Sequence, residues 1–267
     1  MITPRKATFE GFSFSPRENP MIIKEIQAKA ILSKSQVYDY AVNPYVGCSH
    51  SCRYCYAAFM KRFTGHAERW GEFVDVKINA PELLAKEIGR KPVGRVWVSG
   101  VCDPYQPIEQ KYRLTGACLA ILGEKGWPVT VQTKSAFVLR DIGILEQAKE
   151  AEVGFTITTA DDRVRTIFEP GAPPIDERIN ALERLHAKGI RTFAMIAPLL
   201  PGAEGLLDLL AGKVDTVLID RLNYHYADRI YREAGMGWAN EDRFFIGQRD
   251  ALAGGFEGRG ISVQALF

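Results

Sequence analysis

The stretch NPYVGCSHSCRYCY, residues 43–56, places Cys48, Cys52 and Cys55 in a C-x3-C-x2-C pattern. Closed tetrahedral zinc sites and complete iron–sulfur sites usually take four protein ligands. Three thiols in one tight loop leave a coordination position open, and an open position marks a catalytic centre rather than a structural one. Two metal readings follow. Three irons of a [4Fe–4S] cluster can sit on the cysteines with the fourth iron free. Alternatively, a zinc ion recruits a further ligand: His50 lies inside the loop and is badly placed to join it, so His66 is the better candidate.

The rest of the composition frames this loop. With 46% hydrophobic and 25% charged residues, the 267-residue chain is able to bury a full core. The net charge of +2 permits an anionic partner without arguing for one. No apolar run approaches the ~20 residues of a membrane span, and residues 1–20 hold no apolar signal-peptide core. A cytoplasmic protein with reduced thiols, and no membrane contact, is expected. Five cysteines, three of them clustered, favour a metal site over a disulfide framework. The two others, Cys102 and Cys118, are too few for a second cluster. Cys118 occupies an apolar position of a helical stretch and is expected in the core.

Working outward from the loop, short β-rich runs alternate with helical patterns. Strands are expected over 40–44, 95–98, 129–132, 153–158, 192–196 and 216–219, and helices over 81–89, 115–124, 138–148, 175–188 and 205–210. RVWVSG and DTVLID contain near-continuous apolar runs, as strands buried on both faces do. This alternation specifies an α/β fold with parallel strands, and about six units point to a partial (βα)6 TIM-type barrel. Residues 1–35 read as an irregular N-terminal arm, 36–222 as the barrel, and 223–267 as a C-terminal extension packing on it. The chemistry-bearing residues all follow expected strands, where α/β folds carry their sites.

With an aromatic residue, Tyr54, just before its last cysteine, the loop resembles the signature of radical S-adenosylmethionine (SAM) enzymes. KAILSKS (29–35), VSGVCDPYQPIEQ (98–110), TKS (133–135), RD (140–141), EP (169–170) and PLLPG (198–202) extend the resemblance to the spore photolyase-like group. The resemblance implies a [4Fe–4S] cluster on Cys48, Cys52 and Cys55, SAM on the open iron, and reductive SAM cleavage to a 5′-deoxyadenosyl radical for hydrogen abstraction. It also implies an electron donor such as flavodoxin or ferredoxin.

Carried over residue by residue, Tyr54 and Tyr56 flank the cofactor, and Ser99 and Asp103 follow the second strand, with the carboxylate meeting the SAM amino group. Lys134 meets its carboxylate, Thr156 or Thr158 its ribose, and Ala197 its adenine. Cys102 lies near the family's hydrogen-donor position but out of register, so it reads either as a displaced donor or as a passive pocket residue. By analogy the substrate is a nucleic-acid lesion. A peptide or small metabolite is the alternative within the same enzyme class, and a non-catalytic zinc or iron–sulfur module the alternative outside it. Arg221, Asn223, Tyr224, His225, Tyr226, Arg229 and Arg232 interleave basic and aromatic side chains. That pattern suits phosphates and bases, or equally an amphipathic closing helix.

Overall fold

The computed structural model describes residues 21–267, so the first twenty residues of the expected arm lie outside the described residues. The strands are β1 (Ile22–Ile26), β2 (Leu32–Lys34), β3 (Tyr40–Val42), β4 (Tyr45–Val46), β5 (Phe73–Lys77), β6 (Val96–Val98), β7 (Val129–Thr133), β8 (Glu152–Thr156), β9 (Arg191–Ile196), β10 (Thr216–Ile219) and β11 (Ser262–Ala265). Eight of them form one sheet in the order β11-β10-β9-β8-β7-β6-β3-β2. From β3 to β11 every neighbour is parallel, and only β2 runs antiparallel at the edge. This is the partial barrel that the sequence implied, and its six expected strands are β3 and β6 to β10.

The apolar runs explain the sheet. Val96, Val98, Val129, Val131, Val153, Phe155, Ala194, Ile196, Val217 and Ile219 are all buried, and burying such side chains stabilises by about 1.5–3 kcal/mol each. Helices Ala80–Ile88, Leu114–Glu124 and Ile175–Ala187 cover the outside. Pro81 sits in the first turn of its helix, where a missing amide costs nothing. Cys118 is fully buried in this core, as expected.

Several elements differ from the sequence reading. Residues 21–35, read as irregular, contain β1 and β2, and β1 joins a separate sheet ordered β1-β5-β4 beside the cysteine loop. The exposed side chains of β1 give no core-facing pattern, and backbone pairing to β5 is what orders it. The stretch 138–148 is split into a 3-10 segment, Ala136–Asp141, and a short helix, Ile142–Gln147. Ser135 caps the first by accepting from the Phe137 amide, and Asp141 turns inward to accept from the Tyr105 hydroxyl at 3.0 Å. Helices Asp162–Phe168 and Asp242–Glu257 had no clear signal. The second packs Phe245, Leu252 and Phe256 into the main core and leads to β11, which closes the sheet against β10.

Candidate functional site

The loop that carries the cysteines is stapled from several sides. Gly47 has φ +90°, and a Cβ there would lie 2.2 Å from the Phe73 carbonyl oxygen, so only glycine turns the chain into Cys48. Gln106 accepts from the Ser49 amide at 2.9 Å and donates to the Gly47 carbonyl at 3.1 Å. The Arg53 amide donates to Phe168, and the Gly171 amide donates to His50. Cys55 then stands at the N-terminal boundary of the 3-10 helix Tyr56–Phe63, its carbonyl accepting from the Ala58 amide.

All three cysteines line one cavity of about 240 Å³, together with residues at or just beyond the carboxyl ends of β6, β7, β8, β9 and β10. Burial pushes the Cys48 thiol well up, helped by Asp103, and Cys52 up to about 12 despite the Lys134 ammonium. It raises Cys55 as well. Metal binding here must therefore displace protons.

Among the described residues no group of three or more His, Cys, Asp and Glu side chains is already gathered to grip a metal ion. The fit to an iron–sulfur cluster rests on the donor set, three soft thiols at one cavity wall. It rests also on His50, buried against the same cavity, whose Nε2 has no hydrogen-bond partner among the described residues. His66 does not supply a fourth zinc ligand: its two ring nitrogens face Glu68 at 3.0 Å and Asp75 at 2.9 Å, and it stacks on Phe73.

Most of the expected SAM residues converge on this cavity. Tyr54, Tyr56, Ser99, Cys102, Asp103, Lys134, Thr156 and Ala197 all line it. Thr158 does not: it is fully buried and donates to Glu169 at 3.2 Å. β8 ends at Thr156, so the strand alternation that would return Thr158 to the same face has already stopped.

The cavity residues differ in how free they are. The Tyr54 hydroxyl donates to Glu169, while the Tyr56 hydroxyl donates to the Gly100 carbonyl and leaves its ring at the rim. Ser99 Oγ lies 2.9 Å from Cys102 Sγ and donates to Asn43 at 3.2 Å. Burial raises the Cys102 thiol to about 12. Thr156 Oγ1 accepts from Gln132 at 3.0 Å.

Asp103 is the hub of one wall. Burial would raise its pKa, but the His50 ring at 3.3 Å, the Thr133 hydroxyl at 2.6 Å and the Lys134 amide at 2.7 Å hold it at about 2. It also accepts from the Tyr105 amide at 2.9 Å. Three hydrogen-bond donors and the nearby His50 ring leave its two oxygens little room for another.

A second hub escaped the sequence reading. Glu169 is fully buried; it pairs with the equally buried Arg178 at 2.6 Å and with Lys134 at 3.9 Å. Burial opposes its charge, and Arg178 and Lys134 overcome this and hold its pKa down. Arg178 also donates to the Pro173 and Thr156 carbonyls. Glu169 was visible only as part of the EP pair. Arg178 sits in an amphipathic helix where a cation normally faces water.

At the far rim, Tyr224 and Tyr226 are half-exposed and stacked, with centroids 5.6 Å apart and planes 8° from parallel. The basic side chains there, read either as phosphate ligands or as the polar face of a closing helix, are largely committed. Arg221 pairs with Asp242, His225 with Asp228 and Arg229 with Glu233.

A parallel partial barrel with a three-cysteine cavity at the carboxyl ends of its strands defines a class of thiolate-based cofactor proteins. The model of the radical SAM superfamily matches residues 42–204, and the chain belongs to that superfamily. It is 34% identical over 181 residues to an uncharacterized protein of Methanocaldococcus jannaschii, covering 67% of this chain and 68% of that one. It is 25% identical over 202 residues to the radical SAM Nalpha-GlyT isomerase of Pseudomonas phage M6, of which it spans 40%, while the match takes in 73% of this chain. Among solved structures it matches a spore photoproduct lyase variant with bound AdoMet and dinucleoside spore photoproduct. That match has a TM-score of 0.68 and 16% identity, and covers 92% of this chain and 82% of that one. At that identity the likeness carries the fold alone. Among the described residues no helix is long and apolar enough to cross a membrane.

Proposed function

We propose that this protein binds a [4Fe–4S] cluster on Cys48, Cys52 and Cys55 and SAM in the adjoining cavity, and performs hydrogen abstraction on a nucleic-acid component. When bound, the cluster supplies one electron that cleaves the SAM sulfonium to give a 5′-deoxyadenosyl radical. The observation that carries the reading is the convergence of three thiols and Lys134 on one cavity.

The chain's own residues have distinct parts. Arg178 and Lys134 face one carboxylate, Glu169, with Arg178 the nearer of the two. Lys134, 14% exposed, is the cation of that pair that reaches the cavity, and it suits the SAM carboxylate. Asp103 acts on the SAM ammonium by charge from inside its shell of donors, while holding His50 and the end of β7 in place. Thr156 faces the ribose and Ala197 the adenine. Cys102, a neutral thiol held beside Ser99, stands where a hydrogen atom could be returned to a product radical. The stacked Tyr224–Tyr226 pair at the rim favours a flat, base-like substrate.

The test is 5′-deoxyadenosine formation by anaerobically reconstituted, reduced protein given SAM, with and without short single-stranded oligonucleotides. Formation that vanishes in a triple Cys48/Cys52/Cys55→Ala variant is expected, with stimulation by the oligonucleotide. A Lys134→Ala variant that still binds SAM as tightly as wild type would remove Lys134 from the site.

A further inference from the structure

The 3-10 helix Tyr56–Phe63 leaves the last cysteine of the loop and separates two concavities. On its inner side Tyr56 and Ala57 line the cavity; on its outer side Ala58, Phe59, Lys61 and Arg62 line an open groove that shares no residue with it. Phe59 is 39% and Phe63 67% exposed, and the Arg62 guanidinium lies over both rings, at 5.4 and 4.8 Å. Lys61 donates to the Ala67 carbonyl. Among the described residues neither Lys61, Arg62 nor Arg69 is ion-paired, unlike the cations of the opposite rim. Between positions 53 and 69 four cations stand against the single anion Glu68, a local net charge of +3, with the Glu72 carboxylate at its edge accepting from the Arg69 amide.

We infer that this outer face, centred on Phe59, Lys61, Arg62 and Phe63, docks a small one-electron carrier protein with an acidic surface. The inference rests on the cysteine loop holding a redox cluster. Charge complementarity selects the partner: exposed aromatics ringed by unpaired cations fit an acidic patch with an apolar centre. Position selects the role. A nucleic-acid substrate must reach the cavity, whereas a reductant need only come close to the cysteines. Phe59 lies about one 3-10 turn, or roughly 6 Å of rise, beyond Tyr56. The carrier gives up one electron and the cluster accepts it; no bond is made or broken.

The test uses the full chain with its cluster reconstituted and an acidic bacterial flavodoxin as probe. Binding is titrated at low and physiological salt for wild type, K61E/R62E, and a control reversal, K125E/K149E, whose exposed lysines lie before β7 and β8 at the other end of the barrel. Binding about tenfold weaker in K61E/R62E, with its salt dependence reduced and the control unchanged, is expected. Equal binding in all three, or equal loss in both reversals, overturns the proposal. So does binding of a single-stranded oligonucleotide that K61E/R62E abolishes while flavodoxin binding persists, which would make the face a nucleic-acid interface. The iron content of the same samples reports separately on the cluster, and the reading of the cysteines would fail on that measurement and not on docking.

Discussion

Replacing Glu169 with glutamine tests the charge arrangement behind the cavity. Glutamine keeps the shape and an acceptor for the Tyr54 and Thr158 hydroxyls, so the perturbation is almost purely one of charge. It leaves Arg178, fully buried and 2.6 Å away, without its counter-ion. Breaking a buried pair by removing one partner costs about 3–5 kcal/mol, because the remaining charge is uncompensated. In a domain whose whole stability is about 5–15 kcal/mol this is a large share. At ~2–4 °C per kcal/mol for this size, the melting midpoint should fall by roughly 6–20 °C.

The acid dependence gives an independent check. Glu169 has its pKa lowered in the fold by Arg178 and Lys134, which outweigh burial. Its stabilisation is therefore fully present above the unfolded carboxylate value and is lost as pH falls through the lower folded value. The gap between wild type and Glu169→Gln, measured by denaturant unfolding, should be widest near pH 7 and close in acid. A Glu169→Met/Arg178→Met double variant should recover part of the loss, since the fully buried Arg178 charge is removed together with its partner and only Lys134 loses a counter-ion. A Glu169→Gln penalty under about 1 kcal/mol, or one independent of pH, would refute this account of the hub.

Two further substitutions separate binding from architecture. Thr156→Val should weaken SAM binding, read by equilibrium dialysis, with little change in stability, whereas Thr158→Val should cost about 1–2 kcal/mol in unfolding and leave SAM affinity unchanged. His66 sits between Asp75 and Glu68; burial opposes its charge, but the two carboxylates raise its pKa. Its ion pairing stabilises fully below the unfolded histidine value and is lost as pH rises through the raised folded value. Stability curves of His66→Asn against wild type should therefore differ most below the ordinary histidine range and draw together as pH rises through the raised folded value.

The family and the cysteine loop at the cavity were legible in the chain itself because both are written in local spacing. C-x3-C-x2-C in eight residues must fold as one loop, and the valine- and isoleucine-rich runs can only be strands buried in a parallel sheet. Lys134 and Ala197 could be placed for the same reason, since each directly follows such a run. What tertiary structure alone decided lies in contacts between distant segments. Tyr54 meets Glu169 across 115 positions, and Arg178 reaches back 22 positions to Thr156. No periodicity marks such partners, and burial of an arginine shows only once the opposing carboxylate is in place. β11 was hidden for the opposite reason, because its side chains are mostly exposed and only backbone pairing to β10 makes it a strand. Sequence thus pointed to most of the residues that line the cavity. The fold decided which charges are compensated around them, because electrostatic balance in a buried wall depends on where the chain returns and not on what stands next in line.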